Sequence, residues 1–370
     1  MKKLSLQTPA VLVDEQILAN NIKKYQNLCT DHGKKLWPMI KTHKSTAIVN
    51  MQQKAGADGF LCGTLDECES LAEMGIKNIM YAYPASTFPS IDRIVNLSRK
   101  CGLIIRLDGF ESARLINAAA KIAGVCVDYT IIVDSGLHRL GVPSERVREL
   151  ADALRLLSNI RLRGVSTHPG HIYGAASPED TARFISDEKN SIAASAGALR
   201  EGGYQIDIIS SGSTPSFSGA VDDKNIGIYH PGNYVFHDAM QVSLGVAGQD
   251  DCAMTILASV ISRPRQDLFI IDAGSKTLGL DKGAHGGGAI SGFGMVKGHP
   301  EIELFSVSEE VGRLAVSGAT SLKVGDKIEI IPNHACVCAN LTSSLIFCRA
   351  DEAVSNVAVD IRGNSKFNFV

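Results

Sequence analysis

The stretch LWPMIKTHK, residues 36–44, decides the fold that we predict for this chain. An apolar run with strand character ends in Lys41, and a polar turn then leads toward a helix. In a βα barrel, reactive side chains lie at the C-terminal ends of the strands. Partial burial of a lysine there lowers its pKa toward neutrality, which favours Schiff-base formation with a carbonyl cofactor. Lys41 is therefore our first candidate catalytic residue, and a surface lysine at a strand end is the plainer interpretation.

Eight short β-type runs alternate with helical segments between residues 34 and 234. Such repeated strand–helix units predict parallel strands with right-handed crossovers. We therefore predict an α/β fold, a (β/α)8 barrel of the TIM type, rather than an open doubly wound sheet with its glycine-rich first turn. The predicted strands cover residues 36–41, 59–62, 78–83, 103–107, 129–134, 162–168, 206–211 and 226–229. The predicted helices include residues 64–74, 90–99, 111–122, 143–157 and 178–201.

After about residue 245 the sequence changes to short β-type runs separated by Gly, Asp and Pro turns. This texture predicts antiparallel strands and few helices. We predict a barrel domain at residues 14–244 and a C-terminal antiparallel β domain at residues 245–370. The first strand-like piece, residues 10–13, pairs with the β domain or begins the barrel.

Composition and charge exclude several classes of protein. The formal net charge of −2 provides no basic surface for nucleic acid or for an anionic membrane. No apolar run is long enough to cross a bilayer, and the N-terminus lacks the apolar core of a signal peptide. The 9 cysteines are an odd number without framework spacing, which indicates reduced thiols and a cytoplasmic location.

Turns of small and polar residues follow the last two predicted strands. They are SSGST at residues 210–214 and HPGNY at residues 230–234. Such turns present backbone N–H groups and hydroxyls to an anion, and a phosphate site after strands seven and eight recurs in barrels. Together with Lys41 after the first strand, this phosphate site favours pyridoxal phosphate (PLP) as the cofactor.

Cationic and imidazole side chains follow the fifth and sixth predicted strands. Arg139 hydrogen-bonds the cofactor phenolate or a substrate carboxylate, or else forms a structural salt bridge with Asp134. His168 and His171 are candidates for acid–base chemistry or substrate contacts, and core histidines are the competing interpretation. Tyr173 packs in the core or touches the cofactor.

A candidate metal site lies in PNHACVC, residues 332–338. On an extended strand, His334 and Cys336 face the same side and can bind one metal ion, with Cys338 as a possible third ligand. Imidazole with thiolate favours zinc over magnesium or calcium, and two protein ligands leave coordination positions open for catalysis. A chance occurrence of His-x-Cys is the competing interpretation.

These pieces resemble the fold-type III PLP enzymes related to alanine racemase, and within them the D-serine dehydratase and D-threonine aldolase group. The similarity extends from residue 8 to about residue 348. Its most specific pieces are KTHK at 41–44, PGNY at 231–234 with Asp238, DAGSK at 272–276 and PNHAC at 332–336.

The resemblance implies a role for each matching residue. Lys41, rather than Lys44, is the Schiff-base lysine, and His171 is a further catalytic candidate. His334 and Cys336 bind a divalent ion, with zinc as the natural match and Mn²⁺ as the alternative. The family also implies a homodimer. The other implied cofactor contacts are Arg139, Tyr173, Ser213, Thr214, Gly232 and Asn233.

The resemblance further implies a lyase that acts on D-3-hydroxy amino acids with PLP and a metal ion. Dehydration like that of D-serine dehydratase gives a keto acid and ammonia, and we favour it because of the His-x-Cys ligand pair. Cleavage like that of D-threonine aldolase gives glycine and an aldehyde. An amino-acid racemase, a non-catalytic PLP-binding protein and a barrel enzyme without PLP are further alternatives.

Two departures from the family pattern bear on this choice of reaction. The chain has WPM at residues 37–39, where family members often carry Arg-Pro-His. It has Val311 in EEVG, residues 309–312, where they often show Glu-Glu-His-Gly. Two histidines that the family pattern places near the site are therefore absent from the sequence.

Overall fold

The computed structural model of the chain describes residues 1–283 and 290–363. The chain divides into two compact units. The barrel unit consists of Tyr25–Lys41, Gln52–Gly232 and Gly363, and the sheet unit consists of Met1–Lys24, Thr42–Met51 and Asn233–Arg362. Residues 284–289 and 364–370 of the predicted C-terminal domain lie outside the described residues. Among the described residues, no helix combines the length and apolar character that a membrane span needs.

The described residues of the barrel unit form eight parallel strands; from the second to the eighth each pairs with its neighbour along the chain, and the first pairs with the eighth. A bridge between Met39 and Leu61 brings the end of the first strand to the second, so the ring nearly closes. The (β/α)8 barrel is confirmed. Its strands are Lys35–Leu36, Gly59–Cys62, Asn78–Tyr81, Gly102–Leu107, Val127–Val133, Ile160–Thr167, Ile208–Ser211 and Ile228–Tyr229.

Polar caps begin several of the helices between these strands. The Thr64 hydroxyl accepts a hydrogen bond from the Glu67 N–H at 3.2 Å, and the Ser177 hydroxyl accepts one from the Asp180 N–H at 3.1 Å. The helices of the barrel unit are Leu65–Glu73, Phe88–Lys100, Phe110–Ala123, Val147–Leu154, Pro178–Glu201 and Thr214–Ala220. Two more helices, Glu15–Asp31 and Thr46–Ala55, cross from one unit to the other along the chain.

The predicted extent of the first barrel strand is wrong. Regular pairing covers only Lys35–Leu36, and a 3-10 segment, Ile40–Thr42, follows. Pro38 has no N–H to donate, so the ladder cannot continue regularly through it. The N–H groups of Trp37 and Met39 still donate to the carbonyls of Tyr229 and Pro231, at 2.9 and 3.1 Å. The chain therefore stays beside the last strand until just before Lys41.

The described residues of the sheet unit form nine strands, which confirm the antiparallel β domain, with one parallel pair. Ala10–Asp14 pairs antiparallel with Met254–Arg265 and parallel with Ser344–Arg349, so the first strand of the chain belongs to this sheet. The other six strands are Leu268–Ile271, Gly294–Val296, Ile302–Val307, Gly312–Val316, Lys327–Pro332 and Glu352–Ala358. The helices within this unit are Ala239–Ser243, Ser275–Leu278 and Ala335–Leu341.

Gly164 provides a test of the barrel packing. Its φ is +147°, and a Cβ there would overlap the carbonyl oxygen of Ile208 on the next strand. We expect Gly164→Ala to destabilise the protein by about 1–3 kcal/mol, because the backbone must shift. Gly197→Ala is the matched control, since a Cβ at this helical position meets no atom within 4 Å. Urea unfolding measures both variants, and equal midpoints for Gly164→Ala and the wild type would contradict the packing argument.

Candidate active site

Lys41 lies in the 3-10 segment that follows the first barrel strand, at the end of the barrel where the strands terminate. Its side chain is half-buried. A Cβ placed on Gly63, just after the second strand, would lie 3.2 Å from the Cβ of Lys41. The Gly63 N–H donates to Glu67 Oε2 at 2.6 Å, which fixes this turn. The missing side chain at Gly63 therefore leaves room for the stem of Lys41.

The residues 210–214, which we call the phosphate turn, pack tightly against the loop after the last strand. Gly212 has a φ of +155°, and a Cβ there would lie 2.5 Å from the backbone nitrogen of His230. The His230 N–H donates to the Ser211 carbonyl at 2.9 Å, and His168 Nδ1 donates to the Gly212 carbonyl at 3.0 Å. Ser213 and Thr214 are buried in this turn. The structure thus brings together the loops after the sixth, seventh and eighth strands.

Gly232 and Asn233, the other two predicted phosphate contacts, follow in the chain. Gly232 ends the barrel unit and is half-buried. Asn233 belongs to the sheet unit, where its Nδ2 donates to Asp238 Oδ2 at 2.5 Å and lies 4.0 Å from Cys336 Sγ. The predicted phosphate contact of Asn233 stays a prediction, and its buried Oδ1 has no hydrogen-bond partner among the described residues.

His171 lies against the turn that follows the fifth strand. Its Nε2 is 3.1 Å from the position of a Cβ on Gly136, and its ring meets the Phe184 ring edge-on with centroids 4.8 Å apart. Burial lowers the pKa of His171, while the carboxylates of Asp187 and Asp134 oppose the shift. The imidazole is therefore neutral at pH 7 and able to accept a proton. Tyr173 is half-buried in the same 3-10 segment, Gly170–Gly174.

Arg139 is exposed, and its proposed salt bridge with Asp134 is wrong. Asp134 instead pairs with His138, whose Nδ1 lies 2.8 Å from Asp134 Oδ2. Asp134 Oδ1 accepts the backbone N–H groups of Gly136 and His138, each at 3.0 Å. The carboxylate of Asp134 thus finds its hydrogen-bond partners within its own turn, which explains why it does not pair with Arg139.

The structure adds two buried polar groups that the sequence did not single out as site residues. His230 Nδ1 donates to the Trp37 carbonyl at 2.9 Å, while its Nε2 is buried without a hydrogen-bond partner among the described residues. Burial, followed by the charge of Arg106, lowers the pKa of His230 to about 3. Arg106 Nη2 is likewise buried and unsatisfied, and burial lowers the pKa of Arg106 to about 10. Unsatisfied buried polar atoms at the ends of barrel strands indicate a polar ligand.

The local structure predicted for the metal pair is wrong. His334 is not in a strand but caps the helix Ala335–Leu341, and Cys336 lies in the first turn of that helix. The two side chains nevertheless lie near each other, because the Cys336 thiol raises the pKa of His334. Cys338 is not a third ligand, since its buried Sγ donates to the Leu278 carbonyl at 3.3 Å. On a helix, residues two apart point in different directions.

Polar groups of the sheet unit surround this pair. His334 Nδ1 lies 3.4 Å from Asp281 Oδ1, which leaves Nε2 as the atom for a metal. Cys336 Sγ lies 3.4 Å from the Thr42 hydroxyl. Burial opposes a charge on His334, but the charge of Cys336, the hydrogen bond with Asp281 and the charge of Asp238 together raise its pKa. The donor set therefore fits a borderline-soft divalent ion such as zinc.

Asp238 is the buried anchor of this region. Its carboxylate accepts the Ala335 N–H at 2.9 Å and the Gln241 N–H at 3.1 Å, besides the Asn233 amide. Asp238 thus fixes the start of the helix that carries Cys336. Within residues 1–283 and 290–363, no group of three or more His, Cys, Asp or Glu side chains is arranged to hold a metal. The candidate metal site therefore offers two protein side chains.

The fold and these residues define the class of fold-type III PLP enzymes. A family model described as "Alanine racemase, N-terminal domain" matches residues 13–239, and one described as "Putative serine dehydratase domain" matches residues 253–348. The chain belongs to this family, in the branch of D-serine dehydratase and D-threonine aldolase, whose characterised members are lyases.

Three relatives illustrate the similarity. D-threo-3-hydroxyaspartate dehydratase of Delftia sp. is 30% identical over 90% of this chain and 92% of its own. D-serine dehydratase of Dictyostelium discoideum is 27% identical over 95% and 96% of the two chains, and D-threonine aldolase of Arthrobacter sp. is 26% identical over 98% and 94%. The solved Delftia structure superposes with a TM-score of 0.89 over 99% of this chain and 100% of its own, at 28% identity. A cysteine-to-alanine mutant of D-threo-3-hydroxyaspartate dehydratase has been solved in a metal-free form.

Proposed function

We propose that this protein is a PLP- and metal-dependent lyase that converts D-3-hydroxy amino acids, D-serine being the leading candidate, into a keto acid and ammonia. The observation that carries the proposal is the position of Cys336, whose Sγ lies 3.4 Å from the hydroxyl of Thr42, the residue after Lys41, and whose charge raises the pKa of the nearby His334. The resemblance to two dehydratases supports the same reaction.

The barrel unit would hold PLP. Lys41 provides the amine that binds the cofactor aldehyde, and the phosphate turn with Gly232 provides small residues around the phosphate. His230 Nε2 and Arg106 Nη2, which lack hydrogen-bond partners among the described residues, would provide polar contacts at the same end of the barrel. When bound, PLP supplies an electron sink that stabilises negative charge at the substrate α-carbon. The amine of Lys41 would also be the group that takes the α-proton of the substrate.

The sheet unit would hold the metal ion through His334 and Cys336. A bound divalent ion supplies Lewis-acid stabilisation of the β-hydroxyl as that group departs. Asp281 orients the imidazole, and Asp238 fixes the helix that carries the thiol. Zinc matches the imidazole and thiolate ligands, and Mn²⁺ is the second choice.

An aldolase reaction is the second candidate function, and the environment of His171 favours it. A neutral imidazole with a lowered pKa is suited to remove the proton of the β-hydroxyl, which would break the bond between the α- and β-carbons. The similarity to D-threonine aldolase supports the same reading. Racemisation would need no metal, and a carrier protein would show no turnover.

Product analysis with D-serine, D-threonine and D-threo-3-hydroxyaspartate tests the proposal. We expect keto acid and ammonia in equal amounts, and we expect a chelator to stop their formation, because the metal is needed for departure of the hydroxyl. The matching L-amino acids serve as controls and should not react. Glycine and an aldehyde without keto acid would instead establish the aldolase, and chelator-insensitive racemisation would overturn both lyase reactions.

We further propose that the protein works as a homodimer in the cytoplasm. All nine cysteines lie within the described residues and none of them forms a disulfide, in agreement with a reducing compartment. Light scattering of the purified protein measures the mass of the assembly, and a mass equal to one chain would contradict the dimer.

A further inference from the structure

We infer that Glu188 is a positioning residue for the phosphate turn, acting through the hydroxyl of Ser211. The inference rests on the proposed binding of PLP by the barrel unit. It concerns a carboxyl group that neither the proposed reaction nor the proposed cofactor contacts use.

The position of Glu188 is unusual for a glutamate. It lies in the helix Pro178–Glu201, on the buried stripe that also contains Ile192, Ser195 and Leu199. These positions follow the spacing of an apolar helix face, and the side chain of Glu188 is fully buried there. A buried carboxyl on an apolar stripe needs a specific set of partners.

The neighbours of Glu188 lie at both ends of the phosphate turn. The Ser211 hydroxyl, at the end of the seventh strand, donates to Glu188 Oε1. The Ser216 hydroxyl, in the helix that follows the turn, lies 3.1 Å from the Ser213 hydroxyl and lowers the pKa of Glu188, whose Oε2 accepts no hydrogen bond among the described residues. The carboxyl therefore holds the end of the seventh strand, where the turn begins.

The charge state of Glu188 suits a site for a phosphate. Burial raises the pKa of Glu188 to about 7, against the opposing effects of the Ser211 and Ser216 hydroxyls. The charged groups that face it are Lys189, which lowers the pKa, and Asp223, which raises it. Tyr229 on the last strand is also close, and burial followed by the charge of Glu188 raises the pKa of that phenol. A protonated carboxyl holds the turn without repelling a phosphate dianion.

Titration of the apo-protein with PLP tests the inference. We expect Glu188→Ala to weaken PLP binding by about ten- to one-hundredfold, since the buried Ser211 hydroxyl loses its partner and the end of the strand is no longer held. Glu188→Gln keeps the shape without a charge and should stay within about threefold of the wild type. Ser195→Ala is the matched control, because its hydroxyl bonds only the Ser191 carbonyl of its own helix, at 2.7 Å. Pyridoxal without the phosphate should bind all four proteins equally.

The pH dependence of stability gives a second readout. A carboxyl whose pKa rises on folding stabilises the folded state fully below its ordinary pKa of 4.5, and that contribution is lost as pH rises to about 7. The melting temperature of the apo wild type should therefore fall relative to that of Glu188→Gln between pH 5 and pH 8. A constant difference between the two proteins would show that Glu188 is charged throughout, and would overturn the inference.

The outcomes separate this inference from the proposed function. If the wild type binds no PLP, both the proposed function and the inference are contradicted. A wild type that binds PLP together with a Glu188→Ala variant of equal affinity would overturn the inference alone. If Glu188→Ala does not fold, Ser211→Ala removes one donor and leaves the carboxyl, and it should weaken PLP but not pyridoxal. Equal PLP affinity in Ser211→Ala would then count against the inference.

Discussion

Replacing Lys41 by alanine is expected to lower turnover by about 10²- to 10⁴-fold and to abolish the absorbance of bound cofactor near the edge of the visible range. The half-buried amine of Lys41 is the group that we propose binds the cofactor aldehyde and takes the α-proton. Its loss removes both roles at once. Absorbance spectra of the PLP-loaded variant, measured beside steady-state product formation, check both parts of the prediction.

The neighbouring lysine provides the matched control. Lys44 lies three residues further on, is buried and has a φ of +47°. Lys44→Ala should keep the cofactor absorbance, and Lys41→Arg should lose it although the positive charge remains. Reduction with borohydride followed by peptide mapping locates the modified lysine. A label on Lys44 in the wild type, or an unchanged spectrum in Lys41→Ala, would contradict the assignment.

The barrel was predictable because its strands are buried on both faces. Gly59–Cys62 is a continuous apolar run between turns, and its bounds agree with the prediction. The helix Pro178–Glu201 also agrees, since Ser177 and Pro178 mark its start clearly. The predicted length of the first strand was wrong because the prediction rested on hydrophobicity alone. Pro38 lacks the N–H that regular pairing needs, and hydrophobicity does not reveal this.

The metal pair was predictable in composition but not in local structure. The helix Ala335–Leu341 has seven residues, too few for a helical periodicity to show in the sequence. The pair nevertheless meets, because a capping residue and the first turn of its helix lie close together in space.

Glu188 and Arg106 were missed for a different reason. A glutamate in a helix usually faces solvent, and only its spacing from Ile192 and Leu199 places it on the buried face. Arg106 interrupts the apolar strand Gly102–Leu107, and a charged residue in such a run is a sequence signal for a buried polar group. Which partners these side chains meet is decided by tertiary contacts that no local pattern contains.

Replacing His334 by alanine, or Cys336 by serine, is expected to remove bound metal and to lower turnover by about 10³-fold. Each change deletes one of only two candidate protein ligands, and a hydroxyl is a poor substitute for a thiolate toward zinc. The cofactor absorbance should persist in both variants, because Lys41 is unchanged. Elemental analysis of the purified proteins gives the metal content, and the same samples give the spectrum and the rate.

Cys338→Ser is the matched control for the thiol. Cys338 lies two residues from Cys336 in the same helix, but its Sγ donates to the Leu278 carbonyl. The variant should keep its metal and most of its activity. Asp281→Asn should weaken metal affinity by about 10- to 100-fold while the site still fills at high metal concentration, because Asp281 only orients the imidazole. Full metal content in Cys336→Ser together with lost metal in Cys338→Ser would contradict the prediction. It would show that Cys338, rather than Cys336, is the ligand.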